Sequence, residues 1–394
     1  MRFAIAMLSD LRHAAKSSEC VMSSINAVPE ALEDPGYEVG VSNEITDPSW
    51  DAFLAAAGGE YPQTSMWAQV KSESSYQTWR VIARQGSKIV GGSQLLVRSL
   101  PIGAVGYMPL GPVLSCENSS LTRILVQQIR QLAKRERIRF LAVQAPWGSR
   151  TALAHLREGG FSEPSPELVP TASVLIDLSS DLRLIFSQMS ATTRKHLRRG
   201  EHNGIAVREG TCSDLLAFYS LACETADRHG FAAPHRDYFS TVWRAFAPGG
   251  HIKMFVVEIA GEPLSALLVI AFGNIVTCWR MGWSGKQPAL YPNEAMHWAA
   301  IQWAKSQGYR YFDFGGISRE LAKWVLAGGT TRVTQAYKAN YFKLGFGGQP
   351  RLLAEPLVYI HNPLLRRAWP LLSVSMARFR RLRRLILNRF ASGP

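Results

Sequence analysis

The run Ala336-Tyr-Lys-Ala-Asn-Tyr-Phe342-Lys343-Leu-Gly-Phe-Gly347-Gly348, read with Tyr311-Phe-Asp313-Phe-Gly315-Gly316 just before it, organises the rest of this 394-residue chain. Each run sets aromatic residues and one charge beside glycines. Paired glycines let backbone approach a ligand closely or take a positive φ. Tyr309, Tyr311 and Asp313 alternate as on a strand and so share one face. That puts a carboxylate at a strand end beside a turn. Lys343 lies between Phe342 and Leu344, where loss of water should sharpen its charge. The same residues also suit a buried strand, a structural turn and a solvated lysine. Asp313 equally suits a carboxylate that fixes the turn by bonding the Gly315 and Gly316 amides.

Outward from this stretch, the composition is that of a globular protein large enough for two domains: 47% hydrophobic and 19% charged residues. The net charge of +14, carried mostly by arginine, favours anionic partners such as nucleic acid, phosphorylated metabolites or an acidic membrane surface. Five cysteines without a Cys-x-x-Cys pair support neither a disulfide framework nor a zinc site, and fit a reducing cytoplasm. The apolar opening from Met1 to Leu8 is too short for a signal peptide, and no run approaches the length needed to span a bilayer.

Taken in order, residues 1–36 read as an extension. A short helix from Ser49 ends at Gly58-Gly59. Thr64 or Ser65 can cap the next one, on which Trp67 and Lys71 are i,i+4 neighbours; a half-buried tryptophan with a snorkelling lysine would look the same. A hairpin turning at Gly86, a strand ending at Val113, an amphipathic helix over Leu121–Arg137 and a strand over Phe140–Val143 make an α/β unit. After a strand at Ala172–Leu178 comes a basic helix, Ser190–Arg199, whose like-charged i,i+4 pairs invite an anion. Helices over Ser213–Arg228 and Asp237–Phe246, a three-stranded meander from Phe255 to Met281, a helix over Glu294–Gln307 and a strand at Tyr309–Phe314 then repeat the organisation of the first half. After Glu355 the chain holds no acidic residue, and arginines from Arg366 to Arg389 punctuate an apolar pattern of helical spacing, as in a basic amphipathic helix that binds a membrane surface or nucleic acid.

Asp313-Phe-Gly-Gly-Ile317 followed by Phe342-Lys343-x-x-Phe346-Gly347 resembles the signature of the FemABX family of aminoacyl-tRNA-dependent aminoacyltransferases. The resemblance runs from about Tyr37 to about Asn362. It includes Gln63-Thr-Ser-Met-Trp67-Ala-Gln-Val-Lys71, Gly111-Pro112-Val113, and Ala226-Asp-Arg228-His229-Gly230 with Tyr238-Phe239. It implies an α/β chain with mixed sheets in two tandem GNAT-like acyltransferase domains, here without the coiled-coil arm of the FemA type. The expected units are an extension (1–36), a first domain (37–176), a second domain (177–349), a return segment packing on the first (350–365) and the basic C-terminal helix (366–394).

The resemblance further implies transfer of an amino acid from aminoacyl-tRNA to an amine of a peptidoglycan precursor, lipid-linked or nucleotide-linked. Lys71 would help hold the acceptor's diphosphate. Lys343, with Phe342 packed nearby, would meet developing oxyanion charge or the tRNA 3′ end. Asp313 would accept the amine proton or orient a partner. Trp67, Arg228, Arg236, Tyr238 and Arg280 complete the expected substrate-binding set. The chain departs from the family where precursor-binding relatives place an arginine four residues before the tyrosine at Tyr238, since Pro234 stands there. It carries no acid near Gln144-Ala145-Pro146, and Arg280 falls where a tyrosine is usual. These departures keep open an acceptor in natural-product biosynthesis, and a non-catalytic RNA- or membrane-binding protein on the same fold. No loop of the CoA-binding type precedes a helix, so no cofactor is expected, and no metal-ligand spacing is present. The expected place of action is the cytoplasm, at the inner face of the membrane if the C-terminal helix binds it.

Overall fold

The computed structural model describes residues 36–100, 103–162, 169–230, 233, 235–329, 338–362 and 366–367. The extension and almost all of the basic C-terminal segment lie outside these residues. Two seven-stranded sheets carry the fold.

The first sheet begins with β1 (Glu38–Ser42), α1 (Pro48–Ala56) and α2 (Ser65–Ser72). It continues through β2 (Gln77–Gln85), β3 (Lys88–Arg98), β4 (Ala104–Met108), the two-residue β5 (Val113–Leu114), α3 (Ser119–Arg135), β6 (Ile138–Val143) and α4 (Arg150–Glu158). The antiparallel run β1-β2-β3-β4 is extended by β6, parallel to β4. Such a crossover needs a covering element, and α3 supplies it. Leu121, Leu125, Ile129 and Leu132 recur at helical spacing and are buried against Val81, Leu95, Leu141 and Val143.

The second sheet comprises β7 (Ala172–Asp177), β8 (Val207–Gly210), β9 (Ile252–Ile259), β10 (Glu262–Phe272), β11 (Ile275–Trp283), β12 (Tyr311–Gly316) and β13 (Gln349–Leu352). Its helices are α5 (Leu182–Gln188), α6 (Ala191–His202), α7 (Leu215–His229), α8 (Arg236–Phe246), α9 (Pro292–Ser306), α10 (Arg319–Leu326) and α11 (Lys338–Leu344). The antiparallel run β8-β9-β10-β11 is again followed by a parallel strand, β12, here after α9. The two sheets thus repeat one plan.

The plan is completed by exchange. β7, which follows the first half in sequence, pairs with β12 and β13 of the second sheet. β14 (Leu357–Ile360), which follows the second half, pairs antiparallel with β6 of the first. β7 therefore runs in the second sheet, although the sequence reading ends the first domain at residue 176. Its alternation of Ala172, Val174 and Ile176 into a core would suit either sheet, so pattern alone does not assign it.

One apolar cluster joins residues of both sheets' elements: Trp67, Val70, Tyr76 and Leu96 pack with Phe218, Phe239, Val242, Phe246 and Trp279. This shared core fixes α2 against α8 and sets the geometry of the site between them.

Candidate functional site

The site grows from α2. Thr64 caps the helix, its Oγ1 accepting the Trp67 N–H at 3.1 Å. Helical spacing then stacks Trp67 and Lys71 one turn apart. Gln63, just before, is structural: fully buried, it accepts the Gln94 N–H at 2.7 Å and donates to the Pro109 carbonyl.

Lys71 is only 6% exposed. Its Nζ lies 4.9 Å from the centre of the Trp67 ring, 5.5 Å from that of Tyr238 on α8 and 5.8 Å from that of Tyr76. Among the described residues it makes neither hydrogen bond nor ion pair. Its charged neighbours are the guanidiniums of Arg280 on β11 and Arg98 on β3. Burial first, then these two cations, push the Lys71 pKa down to about 8. Tyr238 is buried, which pushes its phenol up to about 12, so it stays protonated. Three cations converge here on an aromatic cage, and an anionic ligand would offset the cost of burying Lys71.

A second cluster lies at the end of β12. The Lys343 Nζ, from α11, donates to the Gly316 carbonyl at 2.7 Å. Burial lowers its pKa, partly opposed by Cys278 and Asp313. Phe342 stands edge-on to His297 of α9, with ring centres 5.1 Å apart. His297 is buried, bonds through Nδ1 to the Asn293 carbonyl at 2.7 Å, and is held neutral with a pKa of about 4 by loss of water. Gly347 makes the turn behind α11. Its φ is +82°, and an added Cβ would stand 2.6 Å from the Gln188 carbonyl oxygen, so only glycine suits the position.

Asp313 is buried with both oxygens engaged. Oδ1 accepts the Gly315 N–H at 2.7 Å, and Oδ2 accepts Arg351 Nη2 at 2.5 Å. It fixes the turn as well as facing Lys343. Arg351 of β13 is the hub of this region. Its Nε donates to Ser173 Oγ at 2.9 Å, and its Nη atoms reach the Glu60 carboxylate at 3.3 and 3.5 Å. Its guanidinium lies 5.3 Å from the Trp147 ring centre. Arg351 thereby ties β12 and β7 to two loops of the first half. Tyr61, beside Glu60, links the clusters: it feels Arg280 and Tyr238 on one side, Glu60 and Asp313 on the other, and burial pushes its phenol up.

Of the residues singled out from sequence, the structure brings Trp67, Lys71, Tyr238 and Arg280 together, and separately Asp313, Phe342 and Lys343. Arg228 is exposed and turned to the Trp283 carbonyl and ring. Arg236 is exposed at the start of α8, 3.8 Å from its neighbour Asp237. Glu60, Tyr61, Arg98 and Arg351 were not foreseen. The signal for Arg351 was a cation inside a short apolar strand three residues after the glycine pair.

The first half matches the FemAB family model over residues 45–157 and the second an acetyltransferase (GNAT) domain model over residues 187–338. Among solved structures, FemX superposes with a TM-score of 0.73 at 18% identity, over 84% of this chain and 99% of that one. A tandem GNAT protein from the clavulanic acid biosynthesis pathway superposes with a TM-score of 0.50 at 11% identity, over 83% and 99%. These likenesses define the class, a chain of two tandem GNAT-like α/β units. Among curated relatives, the lipid II:glycine glycyltransferases of Staphylococcus saprophyticus and Staphylococcus epidermidis are 24% and 23% identical over 234 residues, 56% of this chain and 56% of each relative. The chain thus spans about half the length of the curated relatives it matches. It belongs to the FemABX family.

Proposed function

We propose that this chain is an aminoacyltransferase that moves an amino acid from aminoacyl-tRNA to an amine of a peptidoglycan precursor, lipid-linked or nucleotide-linked. The observation that carries the reading is Lys71: a buried cation without hydrogen bond or ion pair among the described residues, caged by three rings and flanked by Arg280 and Arg98. That arrangement suits the diphosphate common to both precursor forms. The curated relatives named as lipid II:glycine glycyltransferases point to the same acceptor class.

An aminoacyl ester is already activated, so the protein mainly positions the two substrates, an effect worth about 7–11 kcal/mol. Lys343, half-buried at the end of β12, is the cation for the developing oxyanion or the tRNA 3′ end. The amine nitrogen bonds to the ester carbonyl carbon, the bond to the ribose oxygen breaks, and that oxygen takes up a proton.

No helix of the described residues is long and apolar enough to cross a membrane. Residues 366–394 would instead bring the enzyme to an anionic surface. The test is transfer of radiolabelled amino acids from a charged total tRNA pool to lipid-linked muropeptide and to its nucleotide precursor, beside an RNase-treated control. RNase-sensitive label in either acceptor supports the reading, and label in neither overturns it.

A further inference from the structure

A cavity of about 280 Å³ opens between the two halves, on the Glu60–Arg351 side of Asp313. It is walled by loops of the first half at residues 57–60, 110–114 and 146–149, and by Asn274, Ile275 and Tyr311 of the second. The diphosphate reading does not use it, and its chemistry is opposite to that of the Lys71 cage.

Three features define what it would take. Leu110, Pro112, Val113 and Ile275 give it an apolar flank. Two aromatic residues, Trp147 and Tyr311, line it as well, and Trp147 is 47% exposed, which leaves ring surface open to a ligand. Glu60 and Glu117 give it two carboxylates against one cation, Arg351. That cation is already engaged by Glu60, Asp313 and Ser173. Counting Asp313 behind Arg351, three carboxylates face one guanidinium, a local negative balance in a chain of net charge +14.

An apolar flank, aromatic rings and surplus carboxylate together suit a primary ammonium on an aliphatic stem. The volume suits a group the size of one amino-acid side chain. We infer that this cavity is a binding site for an alkylammonium group, the side chain of a diamino acid, with Glu60 and Glu117 as counter-charges and Trp147 as the ring over its head. The diamino acid could arrive free or as part of a peptide. The site needs no RNA and no phosphate, so it stands apart from the transfer reading; if that reading holds, it is a natural dock for an amine-bearing residue of the acceptor.

The experiment is equilibrium binding to the full chain, without RNA or precursor, of three compounds: free L-lysine, Nα-acetyl-L-lysine methylamide, and the same amide acetylated on Nε. Saturable binding of a charged compound, at least about tenfold tighter than of the acetylated one, is expected. It should weaken about tenfold in Trp147→Ala and in Glu117→Gln. Glu117 is exposed, so its variant leaves the fold intact where Glu60→Gln would disturb Arg351. Preference for the free or the capped lysine separates the two sources. Equal affinity for charged and acetylated compounds, no binding of any of them, or binding unmoved by both substitutions overturns the inference. None of those outcomes bears on RNase-sensitive transfer, and a failed transfer assay leaves this binding untouched.

Discussion

Replacing Lys71 by methionine should make the protein more stable while removing its affinity for an anionic acceptor. Lys71 is charged at pH 7, although burial and two neighbouring guanidiniums have lowered its pKa from 10.5 to about 8. At about 1.4 kcal/mol per pH unit, that drop costs the folded state about 3 kcal/mol at neutral pH. The rings of Trp67, Tyr238 and Tyr76 around the ammonium return about 1–2 kcal/mol. Methionine has a similar length and packs well against rings, so Lys71→Met should gain about 1–2 kcal/mol at pH 7. The sign with pH is fixed by linkage. Between pH 8 and 10.5 the unfolded chain holds a proton that the folded one has released, so wild-type stability rises with pH. The variant's advantage should therefore be full below pH 8 and fade to nothing near 10.5. Urea unfolding of both proteins at pH 7 and pH 10 measures this, with and without inorganic pyrophosphate, which should stabilise only the wild type. A variant less stable than wild type at pH 7 would refute the reasoning, because it would mean that Lys71 has a partner of its own.

Lys343→Ala should lower turnover much more than tRNA affinity, read from single-turnover rates beside filter binding; unchanged turnover would remove Lys343 from its assigned role. Arg351→Met leaves Glu60 and Asp313 buried without their shared cation, at a cost of about 3–5 kcal/mol. The loss, followed by thermal unfolding, should shrink as pH falls and the carboxylates protonate. Glu60, whose pKa burial already raises, should protonate at a higher pH than an exposed glutamate does. Removing the residues after Pro370 should reduce co-sedimentation with anionic vesicles, and undiminished co-sedimentation would reject a membrane role for that segment.

The strongest local signals in the sequence lay where one residue type satisfies one local rule. Thr64 as a cap, the i,i+4 pair Trp67 and Lys71, the Gly86 turn and the helical stripe of α3 all follow from neighbours a few residues apart. The strand around Asp313 was legible too, but Tyr309 does not share its face. It precedes β12 and packs on Trp303, with ring centres 5.9 Å apart. The short helices α10 and α11 were not foreseen, being seven or eight residues long and set by tertiary contacts rather than by a long apolar period. Long-range pairings were hardest to see. Nothing near Glu60 announces Arg351, 291 residues away, and the convergence of Lys71 with Arg280 depends on how two sheets meet. Arg228 and Arg236 looked like ligand contacts from their place beside Tyr238, yet their helix ends point them at Trp283 and Asp237.

The exchange of β7 and β14 between the sheets has a consequence for biosynthesis. A ribosome delivers the first half of the chain long before Leu357–Ile360, the strand that closes it. Until then the β6 edge, Phe140–Val143, presents unpaired backbone groups to any passing strand. The usual order, in which an N-terminal domain finishes before the next begins, is therefore unavailable here. Maturation of the first sheet waits for nearly the whole chain, and a message truncated before codon 357 would yield a sticky intermediate rather than a working half.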